Sequence, residues 1–287
     1  MNEPRLLAIP NCSEGTRADR IDRLVDTCRV PGVEVIDVHT DPDHDRTVIT
    51  MAGAPGSLVH AGVALAACAA EVIDLREQHG VHPRVGALDV LPFVAMTEAH
   101  MPAAIEAART AGERIAREVG IPVYLYGRAA TQPGRDRPAM FRHAGIGEMP
   151  PDFPAPPVST AGVTLVGARG PLVAFNIWLQ DGGLDDARQI AAAVREGAPG
   201  GGLPGVRALG LMCATSGRAQ VSMNVEDFRR TPLTEVVARV RSEAEARGRI
   251  IGPSELVGTV PAAALVGTTA HDLGLPPLRP ELIISED

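Results

Sequence analysis

The sequence predicts a two-lobed α/β protein built from a pair of ferredoxin-like βαββαβ units side by side, with a ligand groove between them. Three observations predict it. Apolar segments of strand and helix character follow the order β-α-β-β-α-β, that order occurs twice, and residue spacings repeat with it. Pro31-Gly32-Val33 stands fifteen residues before Arg46, with Met51 five further on, and Pro204-Gly205-Val206 stands fourteen before Arg218, with Met223 five further on. Short matches of this kind arise by chance, so the order of elements carries more weight than the residues.

In the first lobe, Arg5 to Pro10 is a short apolar run, the strand-to-helix turn is Asn11 to Gly15, and Ile21, Leu24, Val25 and Cys28 recur at helical spacing. Pro31-Gly32 stops that helix. Val33 to Val38 is β-branched and alternating, Thr47 to Met51 reads as its partner strand, and Pro55 to about Leu75 is alanine-rich and apolar on most sides, as in a buried helix. Leu88 to Phe93 closes the unit. A helix near Pro102 to Val119, a strand Pro122 to Tyr126 and a proline-rich passage, Gln132 to Pro157, lead to the second lobe. There the strands are Leu172 to Leu179, Val206 to Cys213, Ala219 to Val225 and Leu256 to Val260, with helices Asp185 to Val194 and Leu233 to Ala246. The domains are set at 1–165 and 166–287.

The 287 residues are 45% hydrophobic and 22% charged, the composition of an ordinary globular chain. No apolar run is read as reaching the roughly 18 to 20 residues of a membrane span, and the start carries no signal-peptide pattern, so a cytoplasmic protein without a membrane partner is expected. Four cysteines stand far apart without a C-x-x-C pair, which points to reduced thiols. A net charge of -8 with two tyrosines, five phenylalanines and one tryptophan argues against nucleic-acid binding. Dinucleotide, P-loop and α/β-hydrolase fingerprints are absent from the sequence.

The densest titratable cluster in apolar surroundings is His79 to Gly86. A loop histidine such as His82 suits general acid/base work, and Arg84 suits a bidentate hold on a carboxylate; an ordinary exposed loop explains both equally well. His79 and His82 have the i, i+3 spacing of a metal pair but lack a third ligand nearby, so no metal is expected. The run His39 to Arg46 brings Asp41 and Asp43 beside a cation-friendly strand mouth, or else makes a solvated turn. Asn11 to Gly15, with Thr16, presents either backbone donors to an anion or a helix cap from Ser13 or Thr16. Arg169 stands beside glycines between strands, which suits either a ligand or a turn.

Seven ordered blocks extend this reading: Ile9 to Gly15, Asp45 to Val48, His82 to Val90, Pro122 to Gly127, Gly167 to Arg169 with Ala174-Phe175-Asn176, Gln220 to Asn224, and Ser254 to Gly258. Together they resemble the formiminotransferase domain family over about residues 6 to 266. The resemblance implies N-terminal and C-terminal formiminotransferase subdomains, a homodimer, and transfer of a formimino group from N-formimino-L-glutamate to N5 of tetrahydrofolate, the co-substrate, in histidine degradation. It implies that His82 is catalytic and that Pro154, Ala155, Pro156, Pro157, Val158, Ser159, Thr160, Ala161 and Gly162 contact folate. Arg46, Arg84 and Arg169 are candidates for the substrate carboxylates, and Asp41 and Asp43 for the amidinium. His39, Arg128 and Trp178 stand where the family usually has aspartate, glutamate and asparagine. These changes of charge keep two alternatives open: a related formyl or formimino transferase with another amine partner, and a folate-binding protein without catalysis.

Overall fold

The computed structural model describes residues 3–144, 146, 149–156 and 160–285. The chain divides into two compact units, Met1–Gly170 and Pro171–Asp287. The boundary expected after residue 165 falls after Gly170, because the strand at 164–169 hydrogen-bonds into the first unit's sheet.

In the first unit the opening strand is split. β1 (Leu6–Ala8) and β2 (Asn11–Cys12) flank Ile9 and Pro10, and proline has no N–H to give the ladder. α1 (Ala18–Thr27) follows, then the hairpin of β3 (Val33–Asp41) and β4 (Arg46–Gly53), α2 (Pro55–Val72) and β5 (Leu88–Val94). Across the sheet the order is β3, β4, the split strand, β5, all antiparallel. That is the second, third, first and fourth strand of the unit, the ferredoxin-like arrangement. α3 (Met101–Arg114) ends in a wide turn in which Gly120 N–H reaches Ile115 O at 3.2 Å. β6 (Val123–Gly127), α4 (Pro138–Ala144) and β7 (Thr164–Arg169) complete the unit. β7 inserts between β5 and β6, parallel to both, and so widens the sheet beyond the βαββαβ core.

Strand alternation sorts the side chains of this sheet. Ile49 and Met51 enter the main core with Leu24, Leu58, Leu65, Leu91 and Phe93 under α1, α2 and α3. Arg46, Val48 and Thr50 therefore point to the other face. There a small cluster of Val90, Tyr124, Tyr126, Phe141 and Leu165 packs with α4, an element that the irregular proline-rich passage did not announce. α2 qualifies the expectation about membrane-length runs: by length and composition it is long and apolar enough to cross a bilayer. Nine of its residues are buried, eight of them in the main core, which accounts for its apolar circumference.

The second unit repeats the order with β8 (Val173–Leu179), α5 (Leu184–Val194), β9 (Val206–Cys213), β10 (Arg218–Val225), α6 (Leu233–Glu245) and β11 (Ile251–Val257). Its sheet runs β9, β10, β8, β11, again second, third, first, fourth. β4 and β10 thus hold equivalent places, as expected. The last strand starts five residues before the expected Leu256. Gly252-Pro253 reads as a break in sequence, but β11 is an edge strand with a register shift between Ile251 and Ser254, where a proline is tolerated. β12 (Val260–Pro261) and β13 (Ile283–Ile284) form a short parallel pair.

Leu91 has no exposed surface and meets α2 where Gly62 leaves no room for a side chain. Leu91→Ala is expected to cost about 2–5 kcal/mol, read as a lowered urea midpoint at unchanged slope.

Candidate active site

The site is built on the face of the first sheet away from α1–α3, where Arg46 begins β4. The segment Asn11 to Gly15 is clamped on both sides. Ser13 N–H donates to Ala87 O (2.8 Å), Ser13 Oγ to Gly86 O (2.8 Å), and Thr47 Oγ1 to Glu14 O (2.6 Å). A β-carbon at Gly15 would run into the backbone of Asp41 and Arg46, so glycine allows the closest approach of this segment to the hairpin. The start of α1 is satisfied by neither Ser13 nor Thr16. The buried Glu14 carboxylate accepts Thr16 N–H (2.9 Å) and Arg17 N–H (3.0 Å), donors otherwise open to an anion. Burial pushes Glu14 upward, but these donors outweigh it and hold the carboxyl below its ordinary value.

The centre is Asp89, which is fully buried at the start of β5. It accepts from Arg46 on β4, from Arg142 on α4, and from the Val85 N–H at 2.7 Å. Burial draws Arg46 down to about 10, with Asp89 opposing. Arg46 Nη1 lies 3.2 Å from His82 Nε2. An arginine has only donors, so Nε2 accepts, and Nδ1 carries the proton that it donates to Pro83 O at 2.7 Å. The half-buried imidazole is held well below its ordinary pKa, first by burial and then by the charges of Arg46 and Arg142. At neutral pH it is an uncharged proton acceptor.

Other expected residues gather around this centre. Arg84 Nη2 and Nη1 donate to His44 O (2.9 Å) and Asp45 O (3.2 Å), tying the His82 loop to the β3–β4 turn, where Asp45 takes a positive φ of 48°. Asp41 pairs with His44, whose ring lies 6.1 Å from that of His82; burial opposes the ionised Asp41, yet the His44 bonds hold it below its ordinary value. Asp43 joins the turn through its carbonyl, which accepts Val81 N–H at 3.1 Å. Arg169 ends β7 and hydrogen-bonds Tyr126, whose hydroxyl is pushed up to about 12, mainly by burial, in the field of Arg169, Arg142 and Asp89. Thr160, Ala161 and Gly162 run beside the same loop: Ala87 N–H donates to Ala161 O (2.9 Å), and Gly162 bridges Gly86. Pro154, Ala155 and Pro156 form irregular chain, while Pro157, Val158 and Ser159 lie outside the described residues.

Sequence reasoning passed over Arg142 altogether and quoted Asp89 and Tyr126 only within longer blocks. Pro138, at the first position of α4, was the available signal for a helix carrying Arg142. Among the described residues no group of His, Cys, Asp and Glu has the geometry of a metal centre.

The sequence profile of the formiminotransferase domain, N-terminal subdomain, matches residues 5–169, and that of the formiminotransferase domain matches residues 174–273. The chain belongs to the formiminotransferase domain family. It is 37% identical to a glutamate formimidoyltransferase of Thermoplasma acidophilum, over 93% of this chain and 91% of that protein. It is 39% identical to one of Streptococcus pyogenes, over 92% of each. A formimidoyltransferase-cyclodeaminase of Rattus norvegicus is 36% identical over 91% of this chain and 51% of its own length. The two profiles meet near the division between the units, and the first covers every residue of the Asp89 centre.

Arg142→Met removes a cation near His82 without touching the ring. The imidazole is expected to titrate at higher pH, as read by NMR of the ring; an unmoved value would deny the field of Arg142. In the parent protein the unfolded imidazole, near 6.5, binds a proton before the folded one does. Acidification from about pH 6.5 downward therefore costs stability, and Arg142→Met should lessen that loss.

Proposed function

We propose that this protein is a glutamate formimidoyltransferase: N5 of tetrahydrofolate attacks the amidine carbon of N-formimino-L-glutamate, and the tetrahedral intermediate collapses with glutamate leaving. The observation that carries the assignment is the neutral His82, its Nδ1–H fixed on Pro83 O and its Nε2 lone pair facing Arg46, in a chain whose relatives carry that name. His82 takes the N5 proton through Nε2 as the new C–N bond forms, and returns a proton to the departing glutamate nitrogen as the old one breaks. Arg46, fixed by Asp89, hands the lone pair from its own N–H to the substrate. The adjacent Asp41 and Asp43 favour the cationic amidine. The substrate carboxylates fall to Arg46, Arg84, Arg169 and the newly found Arg142. Arg84 has the smallest share, because two of its nitrogens are spent on backbone carbonyls. Residues 154–162 contact the folate, a role supported by the pairing of Ala161 with Ala87 and of Gly162 with Gly86 beside the His82 loop. The homodimer and the cytoplasmic setting belong to the same proposal.

His82→Ala is expected to lower kcat/KM by about two to four orders of magnitude, roughly 3–5 kcal/mol, while folate affinity stays within about twofold. Near-normal turnover with an unchanged pH profile would remove His82 from the reaction. Arg84→Ala is expected to lower the thermal midpoint with KM little changed; a KM raised tenfold at unchanged stability would instead make Arg84 a carboxylate clamp.

A further inference from the structure

An arginine more deeply buried than those on Asp89 has no part in the site as described. Arg135, in the loop between β6 and α4, has a side chain 2% exposed, against 14% for Arg46 and 15% for Arg142. Its Nη1 pairs with Asp152, and its Nη2 donates to Pro150 O at 2.7 Å. Asp152 in turn accepts the Leu125 N–H of β6 at 2.8 Å and the Thr131 hydroxyl. The Arg135 guanidinium carbon lies 5.7 Å from the centre of the Tyr124 ring and 5.8 Å from that of Phe141, and the two rings meet edge to face at 5.6 Å. One buried cation thus ties β6, the loop after it and the segment at 150–152 to α4.

Filling this space needs no charge. An apolar side chain between Tyr124 and Phe141 would extend the cluster that they form with Val90 and Leu165, without a guanidinium to desolvate. What the ion pair supplies is direction: two acceptors fix where the guanidinium lies, and its attraction to the rings sets Phe141 against it. Phe141 stands one position before Arg142, through which α4 reaches Asp89. A helix of seven residues, Pro138–Ala144, makes about two turns, too few to hold such a place unaided.

We propose that Arg135 is a positioning residue for the active site: seated on Asp152 and packed against Tyr124 and Phe141, it fixes α4 in the register that brings Arg142 to Asp89 and its charge within range of His82. The charged and titratable groups that act on the His82 ring are Arg46 on β4, Arg142 on α4 and His44 in the β3–β4 turn. Of these, Arg142 is the one carried by α4. The seat lies within the first unit; its effect on turnover, unlike its effect on the ring, rests on the proposed reaction.

Arg135→Met keeps the length of the side chain and removes its charge and hydrogen bonds. The readout is NMR titration of the His82 ring in the full chain without substrate, with kcat/KM beside it. The titration is expected to move to higher pH, in the direction of Arg142→Met, and kcat/KM to fall about tenfold. Adding Arg135→Met to Arg142→Met is expected to bring no further rise, because the residue acts through Arg142. Arg135→Lys, which keeps a cation for Asp152 and the rings, is expected to titrate nearer the parent. An unmoved ring in Arg135→Met, whatever the loss of thermal midpoint, makes the residue a stabiliser of the fold alone and overturns the proposal; so does a further rise in the double variant. If Arg135→Met does not fold, Phe141→Leu, which removes one wall of the seat and leaves the ion pair, is read in the same way. A parent protein that does not turn over N-formimino-L-glutamate sinks the proposed reaction and leaves the ring titration to decide the role of Arg135.

Discussion

One buried carboxylate organises the first unit's chemistry. Asp89 holds guanidinium groups from β4 and α4 and the N–H of Val85 at the foot of the His82 loop. Without its charge two buried cations would face each other, and breaking a buried pair of this kind costs about 3–5 kcal/mol. With it, Arg46 is directed at His82, and the imidazole tautomer follows from the donor-only character of arginine. A single ion-pair triad thereby couples the registry of two strands and a helix to the protonation state of one ring.

Much of this was legible in the sequence. The βαββαβ order stood out because each unit buries one sheet face under helices, which imposes period-2 strands and apolar helices that periodicity detects. His82, Arg46, Arg84 and the Asp41–His44 turn came forward because polar residues clustered between apolar elements. Arg142 stayed hidden: its importance lies in reaching Asp89 across 53 positions of sequence, a distance that no local pattern encodes. The cap expected from Ser13 or Thr16 is not formed, for a related reason. Serine and threonine are the usual caps, but here neither caps α1; the buried Glu14 carboxylate takes the N–H groups of Thr16 and Arg17 just ahead of the helix, a placement set by the clamp on both sides of the segment. The strand beginning at Ile251 was shortened in sequence by Gly252-Pro253, whose tolerance depends on β11 being an edge.

The two units share a topology and differ in what they place on the helix-free face. The first puts arginines, histidines and a buried aspartate there, together with a small aromatic cluster under α4. The second puts the amides of Asn176 and Gln220 there, both donating to Glu255, and Trp178 with the Arg218 guanidinium against its ring. A cationic face suits the carboxylates of an amino-acid substrate, whereas the second face spends its amides on its own carboxylate, so repetition of the fold supplies two chemistries from one scaffold.

The insertion of β7 between β5 and β6 bears on how the chain is made. On the ribosome β5 and β6 emerge before the strand that joins them, so each presents an open row of N–H and C=O groups until residue 169 has been synthesised. The nascent first unit thus passes through a stage with two unsatisfied edges, and the passage from Arg128 to Val163 sets how long that stage lasts. Lengthening this passage would prolong the exposure and favour pairing between neighbouring nascent chains, even where the finished fold is unchanged.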